Sequence, residues 1–156
     1  MSAEAKIKEL QLELPPAPKP GGVYKPLVII GNMAYLSGHG PLQADGSMLT
    51  GRVGEDLDLQ AGYDAARQTG LAILATLREN LGSLDRVKRV IKTLGLVNCM
   101  ADFKEQPDVI NGFSELMGQI FGEENGIGAR SAVGTNSLPG NIPVEVEVIV
   151  ELAGKS

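Results

Sequence analysis

Few side chains in this sequence could do chemistry beyond ordinary surface roles. There is one histidine, His39, and one cysteine, Cys99. A Cys–His nucleophile pair has the right residue types but no supporting spacing. One His and one Cys cannot build the usual metal clusters, so no metal is expected. Walker and dinucleotide glycine motifs are absent, and Gly126-Ile127-Gly128 is a lone G-x-G that reads as a loop. No cofactor is expected either. His39 sits between Gly38 and Gly40, where it could carry a proton in a cleft; a partly exposed structural histidine at a strand end is the simpler reading. Cys99 reads as a small buried hydrophobe. That leaves Arg130 and the acidic residues of the stretch from Val144 to Leu152.

That stretch nearly alternates apolar and acidic residues, a period of two that predicts a strand. Val144, Val146, Val148, Val150 and Leu152 share one face; Glu145, Glu147, Ile149 and Glu151 share the other. The segment 136–143 holds two Pro, one Gly and two Asn, so it turns. Arg130 to Val133 reads as a short strand folding back beside the last one. Such a hairpin would bring Arg130 near Glu145. On spacing alone, an Arg and a Glu across a strand pair are most simply a surface ion pair, which contributes little.

The earlier elements must position these residues. Ala3 to Leu14 has Ile7, Leu10 and Leu14 at helical spacing and reads as a short amphipathic helix, followed by an extended Pro/Gly-rich linker to Gly22. The expected organisation is therefore a tail over 1–22 and one domain over 23–156. Val28–Ile30 and Met33–Ser37 read as strands about the turn Gly31-Asn32. Leu49–Val53 reads as a further short strand. Asp58 caps a helix running to about Asn80, whose alanines give it a small-residue face, with Gly82 at its end. A mixed stretch from Leu84 ends in a strand from roughly Val87 to Val97. After a turn at 102–107, Val109, Ile110, Phe113, Leu116, Met117, Ile120 and Phe121 recur at three and four residues, the clearest amphipathic helix. Strands, helix, strand, helix, two strands make an α+β layer: a mostly antiparallel sheet with two helices on one face. The other face needs cover, which points to an oligomer.

The chain has 156 residues, 43% of them apolar, enough for one domain with a real core. The net charge of -5 and the lack of any long basic run argue against tracking a phosphate backbone, so no nucleic acid is expected as a partner. No apolar run reaches membrane-spanning length and no signal peptide is visible, so the expectation is a soluble, cytoplasmic protein with no membrane partner.

Four pieces together resemble the RidA family, also called YjgF or endoribonuclease L-PSP, over roughly 21–153. They are Gly31-Asn32-Met33 with Leu36-Ser37-Gly38; the Ala-rich helix from Asp58; the Asp102-Phe103 turn into the second helix; and Ala129-Arg130-Ser131 with Val144-Glu145-Val146-Glu147. The N-terminal helix and the segment 133–139 mark a divergent subgroup. The resemblance implies a chorismate-mutase-like fold and a homotrimer with a cleft at each subunit interface. It implies hydrolysis of 2-aminoacrylate and related enamines or imines to 2-keto acids and ammonia. Arg130 falls on the family's carboxylate-binding arginine, whose planar fork suits a bidentate grip. Glu145 falls on the carboxylate that positions the water. Tyr24 falls on a cleft tyrosine, Ser37 and Gly38 on a cleft strand. Ala132 stands where many members have Cys, so only its backbone could serve, and Ala101 stands where archetypal members have Asn. The bottom-up chemistry agrees: imine hydrolysis needs a held carboxylate, a placed water and a proton path. The alternatives are a trimer that only binds a small carboxylate and, against the charge balance, the ribonuclease of the family's name.

Overall fold

The computed structural model describes residues 1–154. Its element order is α1 (Ala3–Glu9), β1 (Leu27–Ile30), β2 (Met33–Leu36), α2 (Leu59–Leu81), β3 (Val87–Asn98), α3 (Gln106–Phe121), α4 (Glu123–Gly126), β4 (Ala129–Thr135) and β5 (Val144–Leu152). The strands form one sheet in the order β1-β2-β5-β3-β4. Three pairings are antiparallel and β3·β4 is parallel, so the α+β expectation holds with a mixed sheet.

Local chemistry sets the boundaries. The side chain of Asp58 accepts the Ala61 N–H at the start of α2, and Gly82 ends it in the left-handed region at φ 84°. α1 is shorter than the periodicity predicts. The chain turns at Gln11 (φ 52°), with Gln11 N–H donating to Lys8 O and Leu12 N–H to Ile7 O, a Schellman ending that satisfies the last carbonyls. Leu12 and Leu14 then pack against the core from extended chain. The strand expected at Leu49–Val53 does not form; there only isolated bridges such as Val53 with Cys99 occur.

α2 and α3 pack on one face of the sheet, over Val144, Val146, Val148 and Val150 of β5. The helices approach each other closely because α3 presents no side chain at the contact: a Cβ on Gly112 would collide with the carbonyl oxygen of Tyr63. The opposite sheet face carries Tyr35, Leu94, Glu147 and Ile149 around an open depression of about 360 Å³, with Tyr35 43% exposed. β3 is the central strand. Its 12 residues pair with β5 on one side and β4 on the other.

Candidate functional site: two half-sites on one sheet

The hairpin expected between the strands of Arg130 and Glu145 is not formed. β3 lies between them. The connection from β3 through α3 to β4 is a strand–helix–strand crossover, which returns β4 parallel to β3 at the sheet edge. The register then separates the two residues further. Arg130 pairs with Thr93, which pairs with Val148; Glu145 pairs with Leu96, which pairs with Val133. Directly paired residues point the same way. Thr93 and Val148 are buried under the helices, so Arg130 faces the helix side. Its guanidinium confirms this by donating to Pro107 O at 3.2 Å and to Ser114 Oγ at 3.2 Å, both on α3. Glu145 faces the other side. Two strand spacings and three residues of rise put their Cα atoms roughly 14 Å apart, on opposite faces. One chain cannot hold one small ligand with both.

Glu145 belongs to a different group. Beyond β2 the chain bridges to β5 again, His39 N–H donating to Val146 O (2.8 Å) and Val146 N–H to His39 O (3.0 Å). This lays Gly38 against Glu145, so close that a Cβ on Gly38 would sit 2.7 Å from Glu145 Oε2. Glycine is needed here for close approach, since its backbone has no positive φ. Partial burial in this position, and secondarily the like charge of Glu147, hold the Glu145 carboxyl above the ordinary carboxylate range.

Ser37 is committed locally: its hydroxyl donates to Lys25 O at 2.5 Å. Tyr24 is half-exposed, and its Oη accepts the Gly21 N–H at 3.1 Å. Tyr24, Gly38 and His39 border one cavity of about 200 Å³. His39 is buried rather than partly exposed. Burial lowers its pKa and so favours the neutral ring, in which Nδ1–H donates to Ser37 O (2.6 Å) and Nε2 accepts from the Thr76 hydroxyl (2.8 Å). With both nitrogens engaged, it ties Ser37 and Gly38 to α2. The sequence held no sign of Thr76 as its partner.

The structure thus puts Tyr24 and Gly38 on one cavity and lays Gly38 against Glu145, with Ser37 next in the chain, and places Arg130 and Ala132 apart. Ala132 joins the edge of the core, leaving only its backbone toward the sheet edge. Ala101 is exposed beside a separate depression of about 300 Å³ bordered by Cys99, Gln106 and Asn136. Among the described residues, no three His, Cys, Asp or Glu side chains are placed to hold a metal ion. Among them also, no helix is long and apolar enough to cross a membrane.

A mixed sheet with helices on one face is the architecture of the chorismate-mutase-like class. The chain matches the family model described as "YjgF/chorismate_mutase-like, putative endoribonuclease" over residues 4–152, and it belongs to that family, to which RidA proteins also belong. Protein TCP17 of Trypanosoma cruzi is 40% identical over 148 residues, covering 95% of this chain and 92% of that protein. A protein of unknown function from Agrobacterium tumefaciens superposes with a TM-score of 0.86 at 41% identity, covering 96% of this chain and 91% of the other. A structure from Shewanella oneidensis, named as a candidate endoribonuclease, superposes with a TM-score of 0.92 at 31% identity over 97% of this chain and 100% of its own.

Proposed function

We propose that this protein hydrolyses small 2-imino or 2-enamino acids to 2-keto acids and ammonia, in sites shared between copies of a homotrimer. The observation that carries the reading is the placement of Arg130 and Glu145 on opposite faces of one sheet, which makes each copy half a site. In the assembled site, Arg130 of one copy grips the substrate carboxylate through a planar bidentate fork. Glu145 of a neighbour orients a water against C2 of the imine. An enamino acid first tautomerises to the imine, its N–H proton passing to C3; the water oxygen then bonds to C2, Glu145 accepts one water proton, and the C=N electrons pass to nitrogen, to which Glu145 returns that proton. Collapse of the carbinolamine breaks the C–N bond, forms the keto group and releases ammonia. No redox partner enters. A carboxyl poised above its ordinary range suits a base that must also return a proton. Tyr24, Ser37 and Gly38 line the Glu145 half; Ala132 contributes backbone beside Arg130. The uncovered, partly apolar sheet face around Tyr35, Leu94 and Ile149 supports a meeting of copies there.

A second reading keeps the ligand but not the reaction. Ala101 and Ala132 supply no side-chain function where archetypal members have Asn and Cys, which favours a carboxylate-binding trimer. Ammonia release from freshly generated 2-iminopropionate separates the two. Release above the uncatalysed rate, lost in Glu145→Gln, supports hydrolysis. Carboxylate binding without any release supports the binding trimer. A ribonuclease finds no support in the charge, with 14 Lys and Arg against 19 Asp and Glu.

A further inference from the structure

The segment 136–143 joins the strand of Arg130 to the strand of Glu145, and one guanidinium holds both of its ends. Arg52, in the loop before α2, donates from a terminal N–H to Asn136 O at 2.6 Å and from Nε–H to Asn98 Oδ1 at 3.1 Å. Asn98 is fully buried at the end of β3. Its amide nitrogen donates to Asn141 Oδ1 and to Ile142 O, both at 3.2 Å, and its backbone N–H donates to Pro143 O at 2.9 Å. The Gly51 N–H adds a bond to Asn141 O at 2.9 Å. The segment's own backbone bonds are local, Asn141 N–H to Leu138 O and Ile142 N–H to Pro139 O. Its place on the sheet is therefore set from outside.

Glu145 follows Pro143 by two residues. Among the described residues, no hydrogen bond or ion pair holds its carboxylate; burial and the charge of Glu147 are what act on it. Leu96, opposite it on β3, and Gly38, lying against it, carry no charge. A side chain without a donor keeps its position through its backbone and its packing. That backbone is fastened on both sides, at Ile142 and Pro143 by Asn98 and at Val146 by His39. The Ile142 side chain also props the glycine stretch, since a Cβ on Gly40 would sit 2.8 Å from Ile142 Cδ1. A shift of 141–143 thus moves both Glu145 and the seat it rests on.

We infer that Arg52 is a positioning residue for Glu145, acting through Asn98: it fixes the start of β5, and with it the carboxylate, relative to Gly38. Arg52 takes no part in bond making. Its planar fork reaches two acceptors at once, and its loss would leave the buried Asn98 Oδ1 without a donor. The kinetic consequence rests on the proposed hydrolysis; the positioning does not.

Two variants of the full-length protein test it from opposite ends of the network. Arg52→Gln removes the fork. Asn141→Gly removes the acceptor of Asn98 and suits the left-handed backbone there, at φ 57°. Light scattering reports the assembly state and ammonia release from 2-iminopropionate gives kcat and KM. Carbon-13 NMR follows the Glu145 carboxyl, assigned by its loss in Glu145→Gln. In both variants kcat is expected to fall roughly tenfold with KM little changed. The Glu145 pKa should move down toward the ordinary carboxylate range as the loosened group gains solvent. Arg52→Lys, which keeps the charge without the fork, should lie between wild type and Arg52→Gln. A carboxyl that titrates as in the wild type or higher in the folded variants overturns the inference, as does an unchanged kcat. Loss of the fold in both variants overturns it too, because the network is then structural only. If the wild type itself releases no ammonia, hydrolysis fails as the function, and the titration alone decides whether Arg52 positions Glu145.

Discussion

The two halves of the proposed site are built in opposite ways. The Glu145 half is backbone packed against side chain. Gly38 lies directly under the carboxylate, and a neutral His39 anchors that stretch to α2. The Arg130 half is a side chain at a sheet edge, propped on the start and middle of α3 by Pro107 O and Ser114 Oγ. The first half has no room for a side chain between Gly38 and Glu145; the second has spare donors. A guanidinium carries five N–H groups, and two bonds to α3 leave others for a ligand. Disturbing the first half should alter chemistry sharply, whereas disturbing the second should alter grip.

The largest expected effect follows from that contrast. Glu145→Gln keeps the shape and removes the base, so turnover should fall roughly a hundredfold or more while carboxylate binding survives. Arg130→Lys should lose most binding and activity, because a point charge cannot copy a two-pronged contact, with the trimer intact by light scattering. If Arg130→Lys turns over normally, the arginine only braces α3. Glu147→Gln should leave maximal turnover nearly unchanged. It should also shift the acid limb of the pH profile downward, since the Glu147 charge raises the Glu145 pKa. Glu145 must be ionised to accept a proton, so in the wild type that limb lies above the ordinary carboxylate range.

Next in size is Gly38→Ala. The added methyl would meet Glu145 Oε2 at 2.7 Å. The carboxylate must move, and roughly a tenfold or greater loss in turnover is expected with a smaller change in binding. Activity equal to wild type would show that the position of Glu145 over Gly38 is not used.

The smallest effect concerns the tail. Glu4→Gln should lower stability by about 1 kcal/mol at neutral pH, because the pair with Arg78 is partly exposed and screened, moving Tm by about 2–4 °C. The Arg78 hydrogen bond is the main cause holding the Glu4 pKa down. Its contribution is therefore present above the unfolded carboxylate pKa and lost as pH falls through the folded one. Thermal melts of wild type and variant should converge in acid. A gap independent of pH would mean that packing, not charge, fastens α1.

Much of this architecture was legible because local signals and tertiary demands agreed. Asp58 and Gly82 bracket α2, the three-and-four spacing of Val109 to Phe121 marks α3, and the alternation in β5 divides buried valines from outward glutamates. The pairing of β4 was misread because the turn-rich segment 136–143 looked like a hairpin loop. The stronger signal was the order of β3, α3 and β4, since a strand, a crossover helix and a strand return parallel. One change of neighbour moved Arg130 from beside Glu145 to the far face. The amphipathic spacing of the tail helix implies that it docks, as it does on α3, but its Glu4–Arg78 fastening is not legible: the two are 74 residues apart, and nothing local marks them as partners.

The central claim is that one site needs two copies of the chain, and mixing tests it most directly. Arg130→Ala and Glu145→Gln chains are each prepared inactive, then mixed one to one with subunit exchange, and ammonia release is measured. In a closed ring with heterologous interfaces, about a quarter of the sites should receive Arg130 from one chain and Glu145 from its neighbour, restoring about a quarter of wild-type activity. Activity that stays at the level of the separate variants, in mixtures shown by mass spectrometry to have exchanged, would contradict the account.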